Sequence, residues 1–167
     1  MSKAFTREDD AELPLIIPPR APLPDGVPNY VTAHGLAELH RELAELAVER
    51  EDAERHLDEA TRTRALAAIG ARRAALESRI ASAELVSPPH DCDEVRFGAT
   101  VVVESETGTR QYSIVGVDEA DAARGKIAFV SPLARALLGR SVGDTLELRK
   151  PSGAETLTIE SVRYEPC

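Results

Sequence analysis

Residues 32–85 read TAHGLAELHRELAELAVEREDAERHLDEATRTRALAAIGARRAALESRIASAEL, and this stretch decides the fold. It is almost free of helix breakers, and its apolar residues recur at steps of three and four, as on the contact face of a coiled coil. Two such seams follow one another: Leu36, Leu39, Leu43, Leu46, Ala53 and Leu57, then Leu66, Ile69, Leu76, Ile80 and Ala83. Each arm has about 25 residues, or about 37 Å at helical rise. Thr32 is the expected N-cap of the first.

The two seams match when the second arm folds back on the first. The facing pairs run from Leu36 with Ala83 to Ala53 with Leu66, and their common midpoint places the turn near residues 58–62. This pairing predicts an antiparallel two-helix hairpin within one molecule. The domain that contains it is expected to cover residues 29–86.

The charges of the two arms favour the same pairing. Residues 33–59 carry nine acidic residues and three arginines, whereas residues 62–85 carry five arginines and two acidic residues. Such pairs choose the partner more than they stabilise it, because an exposed pair contributes only ~0–1 kcal/mol. The turn lacks Gly and Pro, so a continuous helix that pairs with a second chain, as a coiled-coil scaffold, stays open as an alternative.

The segment before the hairpin, residues 1–28, holds six of the eleven prolines. Proline removes amide donors and fixes φ, so neither helix nor sheet can run through it. We expect an extended, mostly disordered arm. A passive tail is the simpler interpretation, and the apolar cluster from Leu13 to Ile17 favours a docking segment instead.

After the hairpin the hydrophobic period changes from helical to strand-like. Ser87-Pro88-Pro89 is expected to end the helix and to begin a linker over residues 87–95. Strands are predicted at 99–104, 111–117, 126–130, 145–149 and 156–163. One short helix lies among them, with Ser131 as cap, Pro132 at its first position and Gly139 at its end. The fold class is therefore α+β, with a small antiparallel β domain over residues 96–167.

Composition excludes several classes of function. The net charge of −9 argues against direct, non-specific nucleic-acid binding as the main activity. No apolar run is long enough to cross a bilayer, and the two distant cysteines indicate a reduced, cytoplasmic setting. No catalytic constellation stands out, and His90-Asp91-Cys92 is only a weak metal-binding pattern. We therefore expect no enzyme and no cofactor of its own.

The acids around the predicted turn allow two interpretations. These are Asp52, Glu54, Asp58 and Glu59. They form either a solvated end of the hairpin or a set of carboxylates that the rod carries into a place otherwise out of reach. Carboxylates delivered to a catalytic site can hold a second Mg²⁺ ion or orient a water molecule.

Three stretches resemble a known family. Phe129–Gly139 (FVSPLARALLG), followed by Val142-Gly143-Asp144, is similar to the C-terminal signature of the GreA/GreB transcription elongation factors. Asn29-Tyr30-Val31-Thr32 with Gly35-Leu36 resembles the start of their coiled coil, and Asp118–Asp121 (DEAD) resembles the segment before the signature strand.

The resemblance implies an FKBP-like C-terminal domain that docks on RNA polymerase at the rim of its secondary channel. Val130, Ser131 and Pro132 align with the docking loop of the family. The coiled coil would enter the channel, where tip carboxylates help the polymerase cleave backtracked transcripts. Asp58 and Glu59 are the candidates for that role. Nucleic acid would be met only inside the polymerase complex, Mg²⁺ only as an ion shared with it, and the factor is expected to be a monomer.

The sequence departs from the family pattern at the tip. A Leu-Gly-Asp run leading to Ser-Glu-Asn is absent, and the hairpin is shorter by about two turns per arm, or ~10 Å. A short-hairpin competitor, which occupies the channel without stimulating cleavage, is the alternative. Fold-level analogy also raises a prolyl isomerase, whose aromatic pocket would have to come from Phe97, Tyr112, Phe129 and Tyr164.

Overall fold

The computed structural model describes residues 20–89 and 93–165. It contains a two-helix hairpin, a two-stranded sheet at the base of the hairpin and a five-stranded sheet that carries a short helix. The helices are α1 (Ala33–His56), α2 (Glu59–Ala81) and α3 (Pro132–Leu137). The strands are β1 (Asn29–Val31), β2 (Ala83–Leu85), β3 (Ala99–Ser105), β4 (Gly108–Val115), β5 (Lys126–Ala128), β6 (Thr145–Lys150) and β7 (Gly153–Tyr164).

The hairpin forms within one chain, as the matched seams predict. Its buried side chains come from both arms, and they are Leu39, Leu46, Ala53, Ile69 and Leu76. Partly buried neighbours complete the seam: Leu36, Leu43, Ala65, Leu66, Ile80 and Ala83. Burying one such leucine contributes about 1.5–3 kcal/mol relative to leaving it in water. A continuous helix is therefore not the structure of this stretch.

The charged arms contact each other less than their composition suggests. Among the described residues, Arg72 and Glu49 form the one cross-arm ion pair, at 3.0 Å. The ion pairs within each helix join residues three or four apart, as Arg50 does with Glu54. The apolar seam, rather than the charges, holds the arms together.

The turn of the hairpin is earlier and tighter than the predicted 58–62. Only Leu57 and Asp58 separate the two helices, and both have extended backbone conformations. Asp58 is the N-cap of α2, where its side chain accepts a hydrogen bond from the Thr61 amide. The cap begins the new helix at once, so the reversal requires no glycine. Leu57, which the pattern placed in the seam, is 37% exposed.

Helix α2 ends at Ala81, six residues before the predicted stop at Ser87. Residues Ala83–Leu85 instead form β2, which pairs in parallel with β1. The Asn29 side-chain amide donates to the Arg79 carbonyl at 2.9 Å and to the Ser82 hydroxyl at 3.1 Å. These bonds satisfy the helix end, and the pairing with β1 replaces further helical hydrogen bonds.

The five-stranded sheet has the order β5-β4-β3-β7-β6. Its neighbours are antiparallel except β4 and β5, which are parallel. The expectation of a wholly antiparallel sheet is therefore wrong at this edge. The chain leaves β4 and crosses through a short 3₁₀ turn at Ala122–Arg124 before it returns in the same direction.

The core of the β domain lies between the sheet and α3. Its buried members are Val95, Ala99, Val101, Val103, Ile114, Ala134, Leu137, Leu146, Leu157 and Ile159. Val95 is fully buried, and its amide donates to the Arg140 carbonyl at 2.6 Å. The predicted linker 87–95 is wrong at its C-terminal end, because burial of this valine makes residues 93–95 part of the domain.

The N-terminal segment is held in place over residues 20–28, which the prediction counted as disordered. It has no helix or strand, in agreement with its prolines. It is fixed by ion pairs of Arg20 with Asp118 and Glu42 and by a turn that includes Gly26, whose φ is +71°. Residues 1–19 and the motif His90-Asp91-Cys92 lie outside the described residues. Within the described ranges, no helix is long and apolar enough to cross a membrane.

Candidate functional site

The apex of the hairpin carries Asp58 and Glu59, the predicted tip carboxylates. Asp58 Oδ1 accepts a hydrogen bond from the Thr61 amide at 3.1 Å. Hydrogen bonds from Thr61 hold the pKa of the Asp58 carboxyl below its ordinary value. Asp58 is therefore ionised at neutral pH, and its carboxylate is engaged by the first turn of α2.

Glu59 is the first residue of α2 and is exposed. In the part of the chain that the structure describes, its carboxylate makes no hydrogen bond or ion pair. It lies at the positive end of the helix dipole, which favours its charge. Glu59 is thus the freer of the two tip carboxylates, and Asp58 is held in place by its cap.

The acids below the apex are placed differently. Glu54 pairs with Arg50 at 3.0 Å, and Glu51 pairs with Arg55 at 3.0 Å. No group of three or more potential metal ligands occurs among the described residues. Mg²⁺ commonly takes one or two protein carboxylates together with waters and substrate phosphates. The two tip carboxylates fit a share of such a shell and do not form a complete site alone.

The predicted docking edge, Val130–Pro132, lies immediately before α3. The Ser131 hydroxyl accepts from the Ala134 amide at 3.2 Å, and the Ser131 amide donates to the Ala128 carbonyl at 2.8 Å. Val130 and Ser131 are half-buried, and Pro132 is exposed at the first helical position. The buried Ala134 anchors the helix to the sheet. The edge is therefore rigid and open to a partner on its proline side.

The second half of the signature shapes the loop after α3. Gly139 and Gly143 have φ values of +79° and +90°, which L side chains rarely adopt. The Gly139 amide donates to the Val95 carbonyl and the Gly143 amide to the Ile159 carbonyl, both at 2.8 Å. Asp144 Oδ2 accepts from the Ser141 amide at 2.8 Å. This part of the signature acts by fixing the backbone.

A polar junction joins the hairpin to the β domain through Asp118 and Glu119. The Thr32 hydroxyl donates to Glu119 Oε2 at 2.5 Å, and Lys126 Nζ donates to Glu119 Oε1 at 3.0 Å. Asp118 Oδ2 lies 3.5 Å from Arg79 Nε, and both side chains are at least nine-tenths buried. Sequence reasoning noticed these acids only as part of a resemblance, since nothing local indicates that they meet Thr32 and Arg79.

Three aromatic rings form a second contact between the base of the hairpin and the β domain. The centroid of Tyr30 lies 5.9 Å from that of Phe97 and 5.4 Å from that of Phe129, and the two phenylalanines are 5.6 Å apart. Two of the rings that an isomerase pocket would need are therefore packed against Tyr30. Phe129 also directly precedes the docking edge, so that edge is anchored to the base of the hairpin.

Comparison with known proteins decides the family. A family model described as "Transcription elongation factor, GreA/GreB, C-term" matches residues 89–164. Transcription elongation factor GreA of Rhodospirillum rubrum is 36% identical over 151 residues, which cover 80% of this chain and 96% of that protein. The chain belongs to the GreA/GreB family.

Other GreA/GreB relatives match over a shorter length. Transcription elongation factor GreA of Anaeromyxobacter sp. strain K is 48% identical over 99 residues, 58% of this chain and 60% of that protein. The chain thus spans about three fifths of the length of this relative. Among solved structures, GreA factor homolog 1 of Thermus thermophilus is 23% identical with a TM-score of 0.39, over 82% of this chain and 99% of that one.

The GreA/GreB signature of this chain has a clear structural basis. Its serine is the cap of α3, its proline begins that helix, and its glycines adopt backbone conformations that other residues avoid. The stretch around Tyr30 and Thr32 forms β1 and the first cap of the hairpin. Of the three stretches that carried the family resemblance, those at 29–36 and 118–121 therefore lie where the hairpin and the β domain are held together. The signature stretch reaches this junction through Phe129, and the loop after α3 is bonded within the β domain.

Proposed function

We propose that this GreA/GreB family member binds RNA polymerase and modulates transcription elongation, including the cleavage of backtracked transcripts. The β domain docks at the rim of the secondary channel through Val130, Ser131 and Pro132, and the hairpin enters the channel. Family membership supports this proposal, as does the rigid edge that these three residues form.

The observation that carries the proposal is the hairpin itself. Helix α1 has 24 residues, so the rod extends about 36 Å from its cap at the rise of an α-helix. It ends in a two-residue turn with Asp58 and Glu59 at the apex. A thin rod with one apolar seam and carboxylates at its end suits insertion into a narrow channel better than it suits burial in a globular core.

The two tip carboxylates take different parts. Asp58, fixed by its cap, holds the start of α2 in one conformation, and Glu59 offers a carboxylate without an internal partner. Together they supply part of the ligand set for a Mg²⁺ ion shared with the polymerase, or they orient a water molecule. Such an ion would stabilise negative charge on phosphoryl oxygens. The chain performs no reaction of its own and holds no cofactor alone.

The geometry of Asp58 also supports a second function, that of a competitor in the channel. One of its oxygens already accepts the Thr61 amide at 3.1 Å, which restricts it as a metal ligand. The shorter hairpin expected from the sequence also favours the competitor function. The chain would then occupy the channel without stimulating cleavage and would compete with cleavage factors.

We further propose that the factor acts in the cytoplasm as a monomer and meets nucleic acid only within the polymerase complex. The net charge of −9 supports the statement on nucleic acid, because a chain of that charge is not attracted electrostatically to free nucleic acid. Sedimentation of the free protein tests the monomer against the coiled-coil scaffold, for which an 18.0 kDa species is the expected result.

Binding is tested by capture of core RNA polymerase on the immobilised full chain. Pro132→Asp is expected to abolish capture, because it places a charge on the exposed edge of the docking surface. Pro151→Asp is the matched control, since Pro151 is exposed in the turn between β6 and β7. Equal capture by both variants would remove the docking edge from the proposal, and no capture by the unaltered chain would remove the proposal itself.

Cleavage is tested by adding the protein to stalled, backtracked elongation complexes. The role of the tip carboxylates is supported if the unaltered chain produces shortened transcripts and the double variant Asp58→Ala/Glu59→Ala does not. Glu45→Ala, an exposed carboxylate along α1, is the control. Binding without shortened transcripts, combined with inhibition of an added cleavage factor, would assign the competitor function instead.

A further inference from the structure

The N-terminal segment makes contacts that the GreA/GreB resemblance does not explain. Arg20 lies outside the hairpin and the β domain, yet it contacts both. Its Nη1 donates to Asp118 Oδ1 at 2.6 Å, and its Nη2 pairs with Glu42 on α1. One guanidinium therefore bridges the two units of the molecule.

The direct contact between those units at this point is weak. Arg79 of α2 and Asp118 of the β domain are both at least nine-tenths buried, but their closest atoms are 3.5 Å apart. Among the residues that the structure describes, Arg79 Nη1 and Asp118 Oδ2 have no hydrogen-bond partner. A buried pair of this kind is costly unless further hydrogen bonds satisfy its atoms.

The N-terminal segment gives each member of this pair one hydrogen bond. Arg20 donates to the other oxygen of Asp118, and the carbonyl of Ala21 accepts from Arg79 Nη2. Two consecutive residues thus partly satisfy both members of the buried pair. Burial opposes the charge on Arg20, but its hydrogen bonds to Asp118 and Glu42 outweigh this and raise the pKa of its guanidinium above the ordinary value.

The bridge acts at some distance from the base of the rod. Glu42 lies ten residues beyond the Thr32 cap, or about 15 Å along the helix. The aromatic contact of Tyr30 and the bond from Thr32 to Glu119 both lie at the base. A contact higher on the rod resists tilting of the hairpin more effectively than contacts at the pivot.

We propose that Arg20 and Ala21 form a strap that fixes the direction of the hairpin relative to the β domain. Arg20 is a positioning residue in this role, and arginine is required because its planar fork engages two carboxylates at once. The turn from Pro24 to Val27, closed by a 3.2 Å hydrogen bond and containing Gly26, leads the strap into β1. The inference concerns the free protein, so it does not depend on the proposed function.

The test is a distance measurement by pulsed electron paramagnetic resonance on the full chain. Cys92 and Cys167 are replaced by serine, and spin labels are attached through Arg64→Cys near the apex and Glu147→Cys on β6; both positions are exposed. The unaltered strap is expected to give one narrow distance distribution. Arg20→Ala and Glu42→Gln are each expected to broaden it or to add a second population.

Two further variants separate positioning from general stability. Arg41→Ala is the matched control, because the partners of Arg41 among the described residues are Glu38 and Glu45 on its own helix. Its distance distribution is expected to remain narrow. Arg20→Lys is expected to fall between the unaltered chain and Arg20→Ala, since an ammonium group cannot reproduce the fork. The melting temperature of Arg41→Ala is expected to fall by no more than about 4 °C, because its ion pairs are exposed.

The inference is overturned if Arg20→Ala leaves the distance distribution unchanged, whatever its melting temperature. Equal broadening by Arg20→Ala and Arg41→Ala would also overturn it, because the effect would then be a general loosening of the hairpin. A failure of polymerase capture would leave these distances unaffected, so the strap and the proposed function are tested separately.

Discussion

The hydroxyl of Thr32 serves two units at once: it accepts the Gly35 amide at 2.9 Å to begin α1 and donates to Glu119 of the β domain at 2.5 Å. The N-cap of the hairpin is therefore also its attachment point. Gly35 belongs to the same arrangement, because a Cβ there would lie 2.6 Å from Glu119 Oε2. Local helix initiation and the placement of the rod depend on one side chain.

Thr32→Ala is expected to destabilise the protein by about 1–2 kcal/mol, as loss of an N-cap commonly does. Urea unfolding followed by circular dichroism measures the difference. Thr63→Ala is the control, because the Thr63 hydroxyl is exposed and bonds only the Glu59 carbonyl of its own helix. If both variants lose the same stability, the double role of Thr32 is wrong.

Substitution of glycine by alanine is expected to have opposite effects on stability at Gly116 and at Gly70. Gly116→Ala is expected to destabilise by about 1–3 kcal/mol, because its Cβ would lie 2.5 Å from the Tyr30 backbone carbonyl oxygen. Gly70→Ala is expected to stabilise by about 0.5–1 kcal/mol, since the position lies inside α2 with open space around it. Thermal unfolding of the two variants checks the pair. A tolerated alanine at position 116 would mean that the junction is looser than described.

Capping and charge can be separated at Asp58. Asp58→Ser retains an N-cap oxygen and is expected to unfold at nearly the same urea concentration as the unaltered chain, whereas Asp58→Ala is expected to unfold at a lower one. Under the proposed function, both variants lose the tip carboxylate and are expected to reduce transcript cleavage alike. Full cleavage by Asp58→Ser would assign Asp58 a purely structural role and leave Glu59 as the remaining candidate.

The stability of the protein is expected to depend on pH through Glu155, near the start of β7. The hydrogen bond from Lys150, with smaller contributions from Ser105 and Thr107, lowers the pKa of Glu155 from 4.5 to about 2. Because folding favours the ionised carboxylate, its contribution to stability is complete above pH 4.5 and is lost as the pH falls towards 2.

Glu155→Gln is therefore expected to lower the melting temperature at pH 6, and the difference from the unaltered chain is expected to vanish on acidification. Glu147→Gln on β6 is the control, since Glu147 makes no hydrogen bond or ion pair among the described residues. A carbon-detected NMR titration of the Glu155 carboxyl measures the pKa directly. A midpoint near 4.5 would contradict the prediction.

Features that depend on nearby residues could be predicted from the sequence. The caps Thr32 and Ser131 lie within three residues of the amides they bind, and the seam from Leu39 to Leu76 follows from periodicity alone. The antiparallel hairpin and the α+β class were accessible for that reason, whereas the continuous helix stayed open because the turn has no Gly or Pro. Glu59 was identified as a tip residue because charge and the position of the turn sufficed.

Features that depend on distant pairing could not be predicted. The end of α2 depends on Asn29, which bonds the Arg79 carbonyl fifty residues away, and the parallel entry of β5 beside β4 has no local signal. Val95 appeared to belong to a linker because its burial requires contacts from α3 and the sheet. The contact of Arg20 with Asp118 spans 98 residues, and nothing near either residue indicates it.

The two-residue turn at Leu57 and Asp58 has a consequence for how the rod opens. One apolar seam joins α1 and α2, and each layer of the seam contacts only the layers next to it. The arms can therefore separate one layer at a time. Unzipping therefore starts at the free end and proceeds towards Thr32. Amide protons should exchange fastest near the apex and progressively more slowly towards the β domain.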